Sequence, residues 1–175
     1  SEDEVIETCN RLITAFNEPF QVELNLMFFK VSIGLVFCED QYAHPGQILR
    51  DADIAMYKAK DRGRGTYQVF DAKMREHTLE VTQLEADLYK ALEQNQLQLV
   101  YQTMVNLQTN ELFGFEALTR WKHPERGMIP PDKFIPIAEE SGLIFTLGSW
   151  VLRQACAQLA AWIKEYKLEK PPTLA

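Results

Sequence analysis

Glu116 and Arg120 are the residues of this chain that most directly point to chemistry, because they are charges set inside Phe113–Trp121, a run otherwise suited to a buried strand. A period of two puts Leu112, Gly114, Glu116, Leu118 and Arg120 on one face, with Phe113, Phe115, Ala117, Thr119 and Trp121 on the other. The aromatic face requires a core. On the opposite face the two charges lie roughly 13 Å apart along an extended strand, too far to pair with each other. A carboxylate among apolar neighbours is costly unless a cation, a metal or hydrogen bonds compensate it, so Glu116 requires a partner. The same pattern also fits an antiparallel strand with one wet face, where Glu116 and Arg120 meet cross-strand neighbours and do no chemistry.

Positioning such a strand falls to its neighbours. Leu97–Leu107 alternates as a strand, and Asn106–Asn110 supplies turn residues, so an antiparallel hairpin into the Glu116 strand is expected. Its alternation sets Gln98, Val100, Gln102, Met104 and Asn106 toward Glu116 and Arg120, which makes Gln102 a candidate ligand contact. His123–Pro131 reads as a loop, after which Asp132 is placed to cap a helix reaching Glu140, with Gly142 ending it. Leu147, Trp150, Val151, Ala155, Leu159, Trp162, Ile163 and Tyr166 define a long helix whose aromatics belong to a core. Pro171 and Pro172 stop it, and 173–175 begins another strand.

Upstream, Val5, Leu12, Ile13 and Phe16 mark an amphipathic helix over 4–16 that Pro19 ends. Phe20–Leu26 and Phe28–Phe37 are expected to form an antiparallel pair, with Asn25 and Gly34 available for a turn or a bulge. Pro45–Asp61 is a helix with Gly63 beyond its end, and a strand over Thr66–Phe70 follows. Residues 73–95 read as a connecting helix with a narrow stripe of Met74, Val81, Leu84, Leu88 and Leu92, fit for packing within the chain or for a homodimer seam.

Composition narrows the classes. The chain has 175 residues, 46% hydrophobic and 25% charged, which argues against disorder and leaves room for one domain or parts of two. Its net charge of -7 argues against a binder of large nucleic acids, whose phosphates call for a basic face. No apolar run is long enough for a membrane span, and none has the features of a signal peptide. Cys9, Cys38 and Cys156 lack disulfide or zinc spacing and are read as reduced thiols of a cytoplasmic protein, Cys156 on a helix core face; any membrane anchor of a parent would lie upstream. His44, His77 and His123 also lack ligand spacing and are read as structural or exposed.

Glu116-Ala117-Leu118 followed by Thr119-Arg120-Trp121 resembles the signature of the EAL family of cyclic di-GMP phosphodiesterases. Tyr101-Gln102, Phe134-Ile135-Pro136 with Ala138-Glu139, and Gly148-x-Trp150-Val151-Leu152 resemble that family's flanking motifs in the same order. Val31-Ser32-Ile33-Gly34, Ala52–Lys60 and Gly63-Arg64 resemble the C-terminal half of a GGDEF domain, the diguanylate cyclase fold. The resemblance implies an α/β chain in three parts. Residues 1–72 would be the C-terminal half of an α+β GGDEF domain, 73–95 a connecting helix, and 96–175 the first part of a (β/α)8 barrel whose first strand runs against the others.

It further implies that an intact parent hydrolyses cyclic di-GMP to the linear dinucleotide pGpG, with Mg²⁺ or Mn²⁺ activating a water. Glu116 would be the metal ligand and catalytic group, Arg120 a phosphate contact, Gln102 a substrate contact, and Leu118 a contact made largely through its backbone. Lys60 and Arg64 match positions that contact the GTP triphosphate, and as i and i+4 near a helix end they could share a face; a solvated cluster favouring the helix dipole is the plainer alternative. A barrel takes about 250 residues, and from residue 96 only 80 are present, so this chain alone is expected to be inactive. A catalytically inactive module binding cyclic di-GMP or GTP is the alternative reading.

Overall fold

Ser1 caps the first helix, α1 (Glu2–Asn17), in a reciprocal box: its hydroxyl accepts from the Glu4 amide, and the Glu4 carboxylate accepts from the Ser1 amine at 2.9 Å. Glu2, Asp3 and Glu4 in the first turn add a favourable interaction with the helix dipole. Here and below, the computed structural model describes residues 1–38 and 42–175. It falls into a first unit, Ser1–Glu80, and a second, Val81–Ala175.

In the first unit the expected pairing of Phe20–Leu26 with Phe28–Phe37 does not form. Glu23 takes a left-handed conformation at φ 55°, so the chain reverses inside the first segment, and β1 (Phe20–Val22) pairs antiparallel with β2 (Asn25–Met27). The second segment supplies β3 (Ser32–Leu35), which pairs in parallel with β4 (Thr66–Val69), Ser32 opposite Thr66 and Leu35 opposite Val69. A parallel pair needs a crossover, and α2 (Pro45–Asp61) provides it. Gly34 makes no bulge. A Cβ there would sit 1.9 Å from the Ala52 carbonyl oxygen, so the absent side chain is what lets α2 lie against β3, with fully buried Ala55 and Ala59 on the same helix.

Helix α3 (Ala72–Glu93) begins in the first unit and ends in the second. Within the second unit its stripe is used intramolecularly: Leu84, Leu88 and Ala91 join Leu97, Trp121, Ile129, Phe134, Ile137, Ala138 and Leu147 in one core, with Val81 and Leu92 at its margin. The sheet of that unit has β6 (Leu112–His123) at its centre. Along one edge runs β5 (Leu97–Val105), antiparallel, joined by a turn in which the Asn106 side chain accepts from the Gln108 and Thr109 amides. Along the other edge β8 (Thr173–Leu174) pairs in parallel with Gly114 and Phe115, and β7 (Gly127–Ile129) pairs antiparallel with Trp121–His123. Strand β7 lies inside what sequence marks as a loop. Its Gly127, at φ 72°, lets the chain fold straight back.

Helices α4 (Pro131–Ser141) and α5 (Ile144–Tyr166) connect β7 to β8. Asp132 is not the N-cap of α4; Pro130 holds that place without a side-chain bond, and Asp132 sits in the first turn, where the dipole favours it. On α5, Trp162 packs against Tyr101 at 4.8 Å and Phe115 at 5.1 Å between ring centroids, fixing the aromatic face of the hairpin. Two expectations for α5 are corrected. Ala155 takes the buried position and Cys156, a third of a turn away, is exposed; Tyr166, in the last turn, is 63% exposed rather than core. No helix among the described residues is long and apolar enough to cross a membrane.

Candidate active site

The register of β5 on β6 decides which residues share a face. Gln102 lies directly opposite Glu116, Val100 opposite Leu118, and Gln98 opposite Arg120, and opposed residues of an antiparallel pair project to the same side about 5 Å apart at Cβ. The hairpin therefore brings Gln102, Glu116, Leu118 and Arg120 together on one side. The other side carries Leu97, Tyr101, Phe115 and Trp121 into the core and the α5 contact. At the foot of the candidate face Gly114 is buried, and a Cβ there would meet the Thr173 carbonyl oxygen at 2.5 Å, so β8 runs close beside β6 only because position 114 is bare. Ala175 then exchanges backbone hydrogen bonds with β6, donating to Phe115 at 2.9 Å and accepting from Ala117 at 2.7 Å.

Glu116 is exposed, which corrects the expectation of a carboxylate held among apolar neighbours. Exposed in this way, the charge is solvated by water rather than held in an apolar setting. Nor does Glu116 meet Arg120, whose Nη1 donates to the Thr119 carbonyl at 3.0 Å. Among the paired residues of this face, the side-chain oxygen donors are one carboxylate, Glu116, and the amides of Gln98 and Gln102. A hard divalent ion takes about six oxygens, and no group of three or more His, Cys, Asp or Glu able to hold a metal occurs among the described residues. These residues do not by themselves fit a Mg²⁺ or Mn²⁺ centre.

Lys60 and Arg64 are separated by a helix end. Helix α2 stops at Asp61, and Gly63, Arg64 and Gly65 follow with φ of 103°, 62° and 65°. Three successive left-handed residues turn the chain away, so the i, i+4 helical relation expected of Lys60 and Arg64 does not hold. Lys60 rests its ammonium 4.6 Å from the Tyr57 ring centroid, and Arg64 is exposed.

Two charged clusters escaped the sequence reading. In the first unit, fully buried Asp51 receives a fork from Arg75, Nε to Oδ1 at 3.0 Å and Nη2 to Oδ2, together with the Tyr42 hydroxyl at 3.0 Å. The Arg75 guanidinium also faces the Phe70 ring at 5.3 Å, and a shallow cleft lined by Tyr42, Gln47, Phe70, Ala72 and Arg75 opens beside it. Burial pushes the Asp51 carboxyl up, but the bonds from Arg75 and Tyr42 outweigh it and hold the group below its ordinary value. The available signal was Asp51 standing on the same stripe as Ala55 and Ala59, a carboxylate at a core position.

In the second unit, buried His123 accepts at Nδ1 from the Glu125 and Arg126 amides, both at 3.1 Å. Its proton therefore sits on Nε2, which donates to Asp87 on α3 at 3.3 Å. His123 ends a strand and holds a turn, the structural role expected of it. Asp87 is pushed up by burial, yet Gln83, His123 and Lys90 together hold its carboxyl below the ordinary value.

Both carboxyls have folded-state values below 3.8, so each stabilises the fold above that pH and loses its contribution as pH falls through and below it. Asp51→Asn is expected to lower the Tm at neutral pH and to flatten the acid limb below about pH 4. Thermal melts across pH 3 to 7 check this, and an acid limb as steep as that of the parent chain would contradict the assignment.

A family model for the EAL domain matches residues 85–172, and one for the diguanylate cyclase GGDEF domain matches residues 1–66. This chain belongs to the GGDEF-EAL family of cyclic di-GMP signalling proteins. It is 39% identical to the bifunctional diguanylate cyclase/cyclic di-GMP phosphodiesterase MucR of Pseudomonas aeruginosa, over 87% of this chain and 22% of that protein. To the cyclic di-GMP phosphodiesterase PdeR of Escherichia coli it is 40% identical, over 87% of this chain and 23% of that one. A solved structure described as the PaMucR phosphodiesterase in complex with c-di-GMP is 47% identical over 47% of this chain and 34% of its own, with a TM-score of 0.45. The chain thus spans about a fifth of the length of the curated relatives it matches.

Proposed function

We propose that this chain is part of a longer bacterial protein whose second unit, once completed, hydrolyses cyclic di-GMP to linear pGpG. The observation that carries the proposal is the register that sets Gln102 across from Glu116 with Leu118 and Arg120 on the same open side. That side offers an acid, an amide and a guanidinium in a row, the mixture a cyclic sugar-phosphate ring requires: a planar fork for a phosphate at Arg120, a hydrogen-bonding amide at Gln102, and Glu116 as one ligand of a divalent ion. The names of MucR and PdeR support the same ligand and reaction. In this reading β5 is the antiparallel first strand of a (β/α)8 barrel, and β6 and β8 are its first two parallel strands. Residues 1–72 are then the C-terminal half of a GGDEF domain, 73–95 the connecting helix and 96–175 the start of the barrel. Lys60 and Arg64 are proposed as GTP-phosphate contacts there, made by a helix end and a turn rather than by one helical face.

Because the donors on the open face fall short of a complete metal centre, the 175-residue chain is expected to release no pGpG from cyclic di-GMP with Mg²⁺ or Mn²⁺. The same chain extended through the remainder of the EAL domain is expected to be active, and Glu116→Gln in that longer protein to abolish the activity. Chromatography of the products decides. Turnover by the short chain, or an extended protein indifferent to Glu116→Gln, would overturn the reading.

A further inference from the structure

The open face of the β5–β6 hairpin is polar at both ends and apolar between them. Gln98 lies opposite Arg120, Val100 opposite Leu118, and Gln102 opposite Glu116. The two polar pairs therefore stand roughly 13 Å apart along the strands, four residues at about 3.3 Å each. Of these four polar residues, Gln98 has no role in the reading above. It is exposed, and its side chain makes no hydrogen bond among the described residues. Gln96 shows the contrast: its amide oxygen accepts from the Trp121 indole at 3.3 Å and its nitrogen donates to Gln94 at 3.1 Å. Gln96 serves the fold, whereas Gln98 has no structural partner.

What stands across from Gln98 gives it a use. Arg120 is half-buried and forms no ion pair among the described residues; its Nη1 donates to the Thr119 carbonyl, a neutral group, so its charge is uncompensated. A glutamate at position 98 would neutralise that charge across the strand pair, but glutamine preserves it and adds an N–H donor about 5 Å away at Cβ. A guanidinium and an amide converging from two strands suit a phosphate, whose oxygens accept several hydrogen bonds at once. We propose, building on the cyclic di-GMP reading of this face, that Gln98 and Arg120 clamp the phosphate that is not cut, while the cut falls at the Glu116 end. A cyclic dinucleotide carries two phosphodiesters and a single hydrolysis opens only one. The second phosphate separates this ligand from an ordinary phosphodiester, so Gln98 sets specificity and takes no part in breaking the bond.

The protein extended through the remainder of the EAL domain tests this. Calorimetry with EDTA, which withholds the metal, reads cyclic di-GMP binding without turnover. Gln98→Leu removes the donor at similar volume and is expected to weaken binding roughly tenfold, the worth of a hydrogen bond to a charged group. Gln98→Glu sets a negative charge beside the phosphate and is expected to cost roughly a hundredfold. Gln98→Lys restores a donor and is expected to bind about tenfold or more tighter than Gln98→Leu. A side chain needed only for folding would not follow that order of charge. With Mg²⁺ added, Gln98→Glu is expected to raise KM for cyclic di-GMP far more than it lowers kcat. For bis(p-nitrophenyl) phosphate, which has one phosphodiester, the rise in KM is expected to stay below about tenfold. Leucine, glutamate and lysine at 98 binding alike, or both substrates losing equally, would overturn the proposal. Release of pGpG by a protein that binds no cyclic di-GMP under EDTA would overturn the clamp and leave the proposed function standing. Binding in the expected order without release of pGpG would support the clamp and overturn the catalytic reading alone.

Discussion

Replacing Gly34 by valine is expected to destabilise the first unit by about 3 kcal/mol or more, at or beyond the upper end of ordinary overpacking costs. The reason lies in backbone, not side chain. A Cβ at position 34 meets the Ala52 carbonyl oxygen at 1.9 Å and the Met56 amide nitrogen at 2.5 Å, and ordinary contact begins at 3.4 Å, so α2 as a whole must withdraw from β3. Neither atom can rotate out of the way. Withdrawal would also uncover Ala55 and Ala59, which are fully buried. Alanine at position 34 already creates the collision, and valine adds two methyl groups to it. Gly46 is the internal control: it lies in the first turn of α2 with nothing within 4 Å of a Cβ, so Gly46→Ala is expected to be neutral or stabilising by up to about 1 kcal/mol. Urea denaturation followed by circular dichroism measures both. A Gly34→Val chain with an unchanged midpoint would mean that α2 does not lie on β3 as described.

Gly34 also illustrates what sequence could and could not reveal. A glycine inside a strand pattern signals either a bulge or a close approach, and periodicity cannot choose between them because the choice depends on a helix about twenty residues away. The helices were legible because their apolar spacing is local: α1, α2 and α3 begin and end within a few residues of where Pro19, Pro45, Gly63 and the Met74–Leu92 stripe place them. The partner of β3 was not legible. Phe28–Phe37 follows Phe20–Leu26 directly, and adjacency favours a hairpin, but a left-handed Glu23 closes that hairpin early and leaves Ser32–Leu35 to pair across the α2 crossover. Glutamate is not a residue that announces a positive φ.

For the candidate site the balance is different. That Gln102, Glu116, Leu118 and Arg120 share a face followed from alternation and a short turn, both local, and the register of β5 on β6 has them so. How wet that face is could not be read the same way, since burial depends on what lies above the sheet. Asp51 and Arg75 were missed for a related reason. They are 24 residues apart on different helices, and a buried carboxylate betrays itself only when its stripe position is checked against its chemistry. His123 gave no local signal at all: its partners are two amides of its own turn and Asp87, 36 residues upstream.

Trp121→Ala is expected to cost the second unit about 3–5 kcal/mol, the usual range for emptying a buried aromatic site. Trp121 is wholly buried and packs edge-on to Phe134 at 5.8 Å and against His123 at 5.7 Å, and its indole nitrogen donates to Gln96 at 3.3 Å. It therefore ties β6 to α4 and to the residue that leads into β5. It also sits opposite Leu97 and Ile129, so one side chain bears on both edges of the strand at the end that carries Arg120. Loss of the ring should loosen that end first, and amides at the Gln98–Arg120 end of the hairpin should exchange faster than those near Gln102 and Glu116. Trp121→Phe keeps most of the volume but leaves the Gln96 amide without its donor, so a smaller loss, about 1–2 kcal/mol, is expected. Should Trp121→Ala cost less than about 1 kcal/mol, well below the range for a buried aromatic, the core would not be organised around this ring, and the hairpin's register would need another source of support.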